Sequence, residues 1–167
     1  MSYYTSIFWD LIHTPFQHIE LIWGIVPLYF ALLVNELNSA KANFCTAIQT
    51  GFSFIWAAAQ WLYLYSKGHP HLGIQVEPRM AVPINLFVTF LVLALGAVAL
   101  FSGLRHRFPK YGSFLGQTRF GNYFMIAIYP IQAHYLVWTW DRLAAIAVFA
   151  VPVWLLLHFG LMPLRKG

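Results

Sequence analysis

Apolar residues run along this chain in five long blocks, with polar residues gathered between them. The blocks cover about 15–37, 43–66, 82–103, 122–139 and 141–163, close to the roughly 20 residues a helix needs to cross a bilayer. Ahead of them, residues 1–14 place Ile7, Phe8, Leu11 and Ile12 at helical spacing over too short a length to cross. An interfacial or docked arm is expected there. Thr14, Pro15 and Gln17 read as a capping box with proline at the first helical position, which starts the first span. The sequence Lys67-Gly68-His69-Pro70 closes the second, and Asp141 reads as the cap of the fifth. The short link before Asp141 makes the fourth and fifth spans antiparallel neighbours. The pattern predicts an all-α integral membrane protein: a single membrane domain of five transmembrane helices, preceded by a short N-terminal interfacial helix.

Composition agrees. Of 167 residues 60% are hydrophobic and 9% charged, against about 25% charged in soluble domains. Seven Trp, nine Tyr and fifteen Phe suit aromatic belts at the membrane surfaces. The net charge of +5 flanks the spans, so anionic phospholipids account for it and nucleic acid gains no support. The lone Cys45 allows no disulfide within the chain. The first fifteen residues carry no Lys or Arg and include Asp10 and His13, so no cleavable signal peptide is expected. Arg105, Arg107, Lys110 and Arg119 share one loop, and Lys41, Arg165 and Lys166 fall on the same side of a five-span topology. Lys67, Arg79 and Arg142 lie opposite. This bias predicts an outside N-terminus and a cytoplasmic C-terminus, in a bacterial inner or organellar inner membrane. The loop bases, interleaved with Phe108, Tyr111, Phe114 and Phe120, are the expected lipid-headgroup contacts.

Polar residues inside the blocks are the candidates for function. Pro27, Pro130 and Pro152 free the carbonyls of Trp23, Ile126 and Val148 near the middle of three spans. Such kinks serve packing, or open a cavity at mid-membrane. The second block carries Gln49, Ser53, Trp56, Gln60 and Tyr63 on one stripe, which suits a central helix hydrogen-bonded to its neighbours. Gly51 in that block, and Gly96, Ala99 and Gly103 in the third, provide small surfaces for close packing. The third block is otherwise almost free of polar groups, Asn85 and Thr89 excepted.

The topology sorts polar groups into two layers. An outer layer holds His13, His18, Glu20, His69 and His71, with Gln60 and His134. An inner layer holds Asn35, Glu36, Gln49 and His158, and a Glu36–His158 hydrogen bond is expected. Glu36, His158, Gln49, Gln60 and His134 are the candidate intramembrane proton or polar sites. A metal would fall to His13, His18, Glu20, His69 and His71, a haem to His18 and His134, and a quinone to aromatics beside Gln132 and His134. None of these cofactors is favoured, because the pattern of ligands is incomplete. Phosphate-loop, paired-cysteine and hydrolase motifs are absent from the sequence. The leading expectation is therefore an accessory or structural subunit of a larger membrane complex, of the energy-transducing kind, partnered by other membrane subunits and without catalysis of its own. A small oligomeric proton- or ion-coupled carrier or channel comes second, and a haem-, quinone- or metal-binding redox protein third.

Overall fold

The computed structural model describes residues 2–37, 44–67, 81–105, 119–161 and 163. These form six helices: α1 Ser2–Gln17, α2 Ile19–Leu37, α3 Phe44–Lys67, α4 Ala81–Arg105, α5 Arg119–Gln132 and α6 Trp140–Gly160. The fold is all-helical. Three helices are long and apolar enough to cross a membrane: α2, α4 from Val82, and α6 as far as Leu157. The remaining two of the five expected spans are not confirmed. The stripe of polar residues dilutes α3 over its 24 residues. The 14 residues of α5 reach only about 21 Å.

The first span begins four residues later than the capping box implies. Pro15 lies inside α1, and the Thr14 hydroxyl donates back to the Asp10 carbonyl (2.6 Å) rather than accepting from the turn ahead. His18 alone separates α1 from α2. The arm is docked: Leu11 is fully buried, Phe8 stacks on Phe149 of α6 (4.6 Å), and the Tyr3 hydroxyl donates to Asp141 (3.1 Å).

The close packing expected of small residues occurs where α3 and α4 meet. A Cβ on Gly51 would lie 2.5 Å from the Leu100 nitrogen and 2.8 Å from the Gly96 carbonyl oxygen, so only glycine allows this backbone approach. Between α2 and α5, Gly24 gives way to the Tyr129 ring, whose hydroxyl would sit 1.7 Å from an added Cβ. The centre of the bundle is α5, buried nearly continuously from Asn122 to Ala133 and contacted by α1, α2, α3 and α6.

The fourth block does not remain helical to 139. Helix α5 stops at Gln132 in a Schellman motif: the Tyr135 amide donates to the Pro130 carbonyl (3.0 Å) and the His134 amide to that of Ile131 (3.0 Å). His134 takes the left-handed position (φ 64°) usually given to glycine, which is why the sequence carried no stop signal there. Pro130 thus opens an exit turn instead of kinking a span at its middle, while Pro27 and Pro152 remain inside their helices. The link to α6 is a seven-residue passage, 133–139, longer than expected. Thr139 caps α6, its hydroxyl oxygen accepting from the Arg142 amide (3.2 Å), and Asp141 sits in the first turn.

Candidate functional site

Polar groups collect in two places, and the first is a knot built on the exit turn. Asn85 and Thr89, one turn apart on α4, are both buried and face Gln132 and the turn. The Asn85 side-chain oxygen accepts from the Trp138 indole (2.5 Å) and the Gln132 amide (3.5 Å), and its nitrogen lies 3.4 Å from His134 Nδ1. The Thr89 hydroxyl has one proton to give and two acceptors near, the Asn85 carbonyl (2.8 Å) and Gln132 Oε1 (3.3 Å). The His134 ring also meets Tyr65 of α3 (5.6 Å). On the other side of the turn, Tyr135 packs on the His18 ring (4.4 Å) and donates to Glu20 Oε2 (3.4 Å). Burial raises the Tyr135 phenol above its ordinary range, and the Glu20 carboxylate adds to the shift. Three members of the expected outer layer, His18, Glu20 and His134, are therefore gathered around residues 133–139.

The polar stripe of α3 supplies a second kind of bond. The Trp56 indole donates to the Trp23 carbonyl (2.8 Å), the acceptor that Pro27 strips of its helical partner. Gln60 donates to the Glu20 carbonyl (3.1 Å). Ser53 turns back to its own helix at the Thr50 carbonyl (2.9 Å). On this half of the stripe the amide and indole act as glue between helices.

The second collection is a seam between α2, α3 and α5, where buried polar atoms have no hydrogen-bond partner. They are Trp61 Nε1, Tyr129 Oη, both side-chain polar atoms of Asn122, Asn35 Oδ1 and Gln49 Oε1. Trp61 and Tyr129 pack ring to ring (5.7 Å). Asn122 lies two turns from Tyr129 on the same face of α5 and is fully buried. The Asn35 amide donates to the Thr50 hydroxyl (3.3 Å), leaving its oxygen unused. Glu36 is buried beside this end and lines a cavity of about 10 Å³ with Leu32, Tyr123, Val153, Trp154 and Leu157. The Tyr123 hydroxyl donates to the Ile146 carbonyl (2.8 Å).

Among the described residues, the remaining expected site residues do not gather. His13 is exposed and stacks on Trp9 (5.6 Å), away from the contact of His18 with Tyr135. Among the described residues no three His, Cys, Asp or Glu side chains gather as a metal site would require. The expected pair of His18 and His134 faces different partners, Tyr135 and the Asn85–Tyr65 pocket. His158 belongs to α6 one residue beyond Leu157, but its side chain, and with it the Glu36–His158 bond, lies outside the described residues, as do His69, His71, Arg107 and Lys110. Arg105 is exposed at the end of α4, over the Phe101 ring (6.0 Å), and Arg119 begins α5.

Asn85, Thr89, Trp138 and Asn122 are the functional candidates that the sequence underrated. Their one signal is the four-residue spacing of Asn85 and Thr89, which puts both on one face of an otherwise apolar helix. No protein-family model, curated protein or solved structure matches the chain.

Proposed function

We propose that this chain is an accessory subunit of a larger integral membrane complex, structural and lipid-sealing, without a reaction centre of its own. The observation that carries the reading is the bareness of α6. Only 11% of the residues from Trp140 to Leu157 are buried, against 44% for the span of α2. Val148, Val151, Leu155, Leu156 and Phe159 stand exposed on it, and within the chain it packs mainly on α1 and α5. A partner helix laid along α6 would give it the contacts that α2 already has. Glu20, Gln60 and His134 support the same reading, because their contacts run between helices. The basic residues favour a cytoplasmic face for the Arg105 and Arg119 end, where Arg105, Arg107, Lys110 and Arg119 would meet anionic headgroups.

The test is the native mass and composition of the protein extracted in mild detergent, with cysteine placed at Val151 or Leu155 for cross-linking. Stoichiometric membrane partners cross-linked through α6 are expected. A lone monomer would sink the proposal. A homo-oligomer would turn it toward the carrier reading, which the unpartnered polar atoms between α2, α3 and α5 favour.

A further inference from the structure

The seam between α2, α3 and α5 holds polar atoms that neither a dry core nor surrounding lipid can satisfy. Trp61, Tyr129 and Asn122 are at most 1% exposed, and Asn35 is 4% exposed. An unpaired buried polar group costs about 1–3 kcal/mol, and the usual remedy in a native structure is an internal water with two to four polar partners. The unpartnered atoms here are of mixed type. Trp61 donates, Asn35 and Gln49 present oxygens, and Tyr129 and Asn122 can do both. Water matches that mixture. A cation would suit the oxygens but not the indole or the Asn122 amide nitrogen.

Their helices space them along the bundle. Asn122 lies about 10 Å along α5 from Tyr129, and Asn35 about 16 Å along α2 from Gly24, which touches the Tyr129 ring. A few waters in sequence cover such steps. At one end Gln60 approaches Gly24 and donates to the Glu20 carbonyl. At the other end stands Glu36, next to Asn35 on α2, with its side chain on a small cavity of about 10 Å³ that opens between α2, α5 and α6 rather than within the seam. At about one buried water per 27 residues, a chain of 167 residues carries on the order of six, enough for such a file.

The geometry points to an internal hydration site: a short file of bound waters that completes the bonds of Trp61, Tyr129, Asn122, Asn35 and Gln49, and gives polar continuity between the Glu20 and Glu36 ends. This inference is independent of the subunit reading and survives its failure.

X-ray radiolysis of the intact protein in its native assembly tests it, because bound water is itself the source of the hydroxyl radicals that oxidise neighbouring side chains. The expected result is oxidation of Trp61 and Tyr129 despite their burial, at yields approaching those of exposed Trp9 and Trp140. Asn122→Leu should lower the yield at Tyr129 severalfold, with the helical circular-dichroism signal unchanged. Silence at Trp61 and Tyr129 while Trp9 and Trp140 react would overturn the proposal. So would an unchanged Tyr129 yield in both Asn122→Leu and Asn35→Leu. Should Asn122→Leu fail to fold, the wild-type yields at the two buried rings decide alone.

Discussion

The Asn85 knot and the α2–α3–α5 seam are both buried and polar, yet they solve burial in opposite ways. In the knot, side chains answer one another: Asn85 receives Trp138 and Gln132, and Tyr135 reaches Glu20. In the seam, Asn35 Oδ1, Gln49 Oε1, Trp61 Nε1, Tyr129 Oη and both side-chain polar atoms of Asn122 are buried without a hydrogen-bond partner. The difference follows from the backbone. An irregular passage such as residues 133–139 can bend to meet a donor. Three regular helices hold their side chains at a fixed pitch and leave gaps that only a small mobile partner fills. A polar group locked into the knot therefore acts as structure, and one left open in the seam is available for a guest.

The comparison is tested most sharply by the same substitution at both places. Asn85→Leu removes the acceptor of two donors, the half-buried Trp138 indole and the buried Gln132 amide, and a donor left buried costs about 1–3 kcal/mol. A clear fall in the unfolding temperature in detergent is expected. Asn122→Leu removes a side chain with no protein partner, so its cost is limited to displaced water and is expected to be well below that of Asn85→Leu. Equal losses at both sites would erase the distinction.

The next effect concerns the α3 stripe. Trp56→Phe should cost about 1 kcal/mol, because the Trp23 carbonyl then loses its replacement for the helical donor absent at Pro27. In a Pro27→Ala background the regained helical amide can serve that carbonyl, so the same change should cost measurably less. A double-mutant cycle of unfolding free energies reads the coupling. No coupling would mean that the indole packs without bonding.

This bond also shows what was legible beforehand. The positions of Pro27 and of the stripe identify a freed carbonyl and a set of donors, and they meet as helical periodicity implies. The α3–α4 contact through Gly51 and Gly96 was legible for a similar reason, since small residues at one level mark close approach. The breaks at His18 and Gln132 were not. Thr14-Pro15-Gln17 carries the letters of a cap, but the bond goes backward to Asp10. His134 occupies a glycine-like position because its ring has partners in Asn85 and Tyr65. The knot stayed hidden because it joins residues about fifty apart through a turn that apolar periodicity reads as helix. The seam was half visible: Asn35 and Gln49 were marked by depth, whereas Asn122, at a helix start, looked like an ordinary boundary residue.

A smaller effect isolates the turn itself. The left-handed backbone at residue 134 costs a non-glycine residue about 1–2 kcal/mol. His134→Ala keeps that strain and loses the ring contacts, so it should destabilise. His134→Gly loses the same contacts but relieves the strain, and should be the more stable of the two by about 1 kcal/mol. If the two variants unfold at the same temperature, the left-handed conformation is not what fixes the turn.

The smallest effect is an alkaline one, confined to the knot's edge. Burial, aided by Glu20, raises the Tyr135 phenol, so the folded chain keeps a proton that the unfolded chain releases from about pH 10. The associated stability is complete below that pH and is lost as pH rises through the higher folded value. Tyr135→Phe has no proton to lose, so its unfolding temperature should fall less steeply between pH 10 and 11 than that of the wild type. Tyr3 is raised as well, chiefly by its hydrogen bond to Asp141, and Tyr3→Phe should flatten the same limb. The two changes should add, because the tyrosines answer to different carboxylates on different helices. If Tyr135→Phe leaves the alkaline limb unchanged, the phenol is neither buried nor held by Glu20 in solution, and the knot ends at His134.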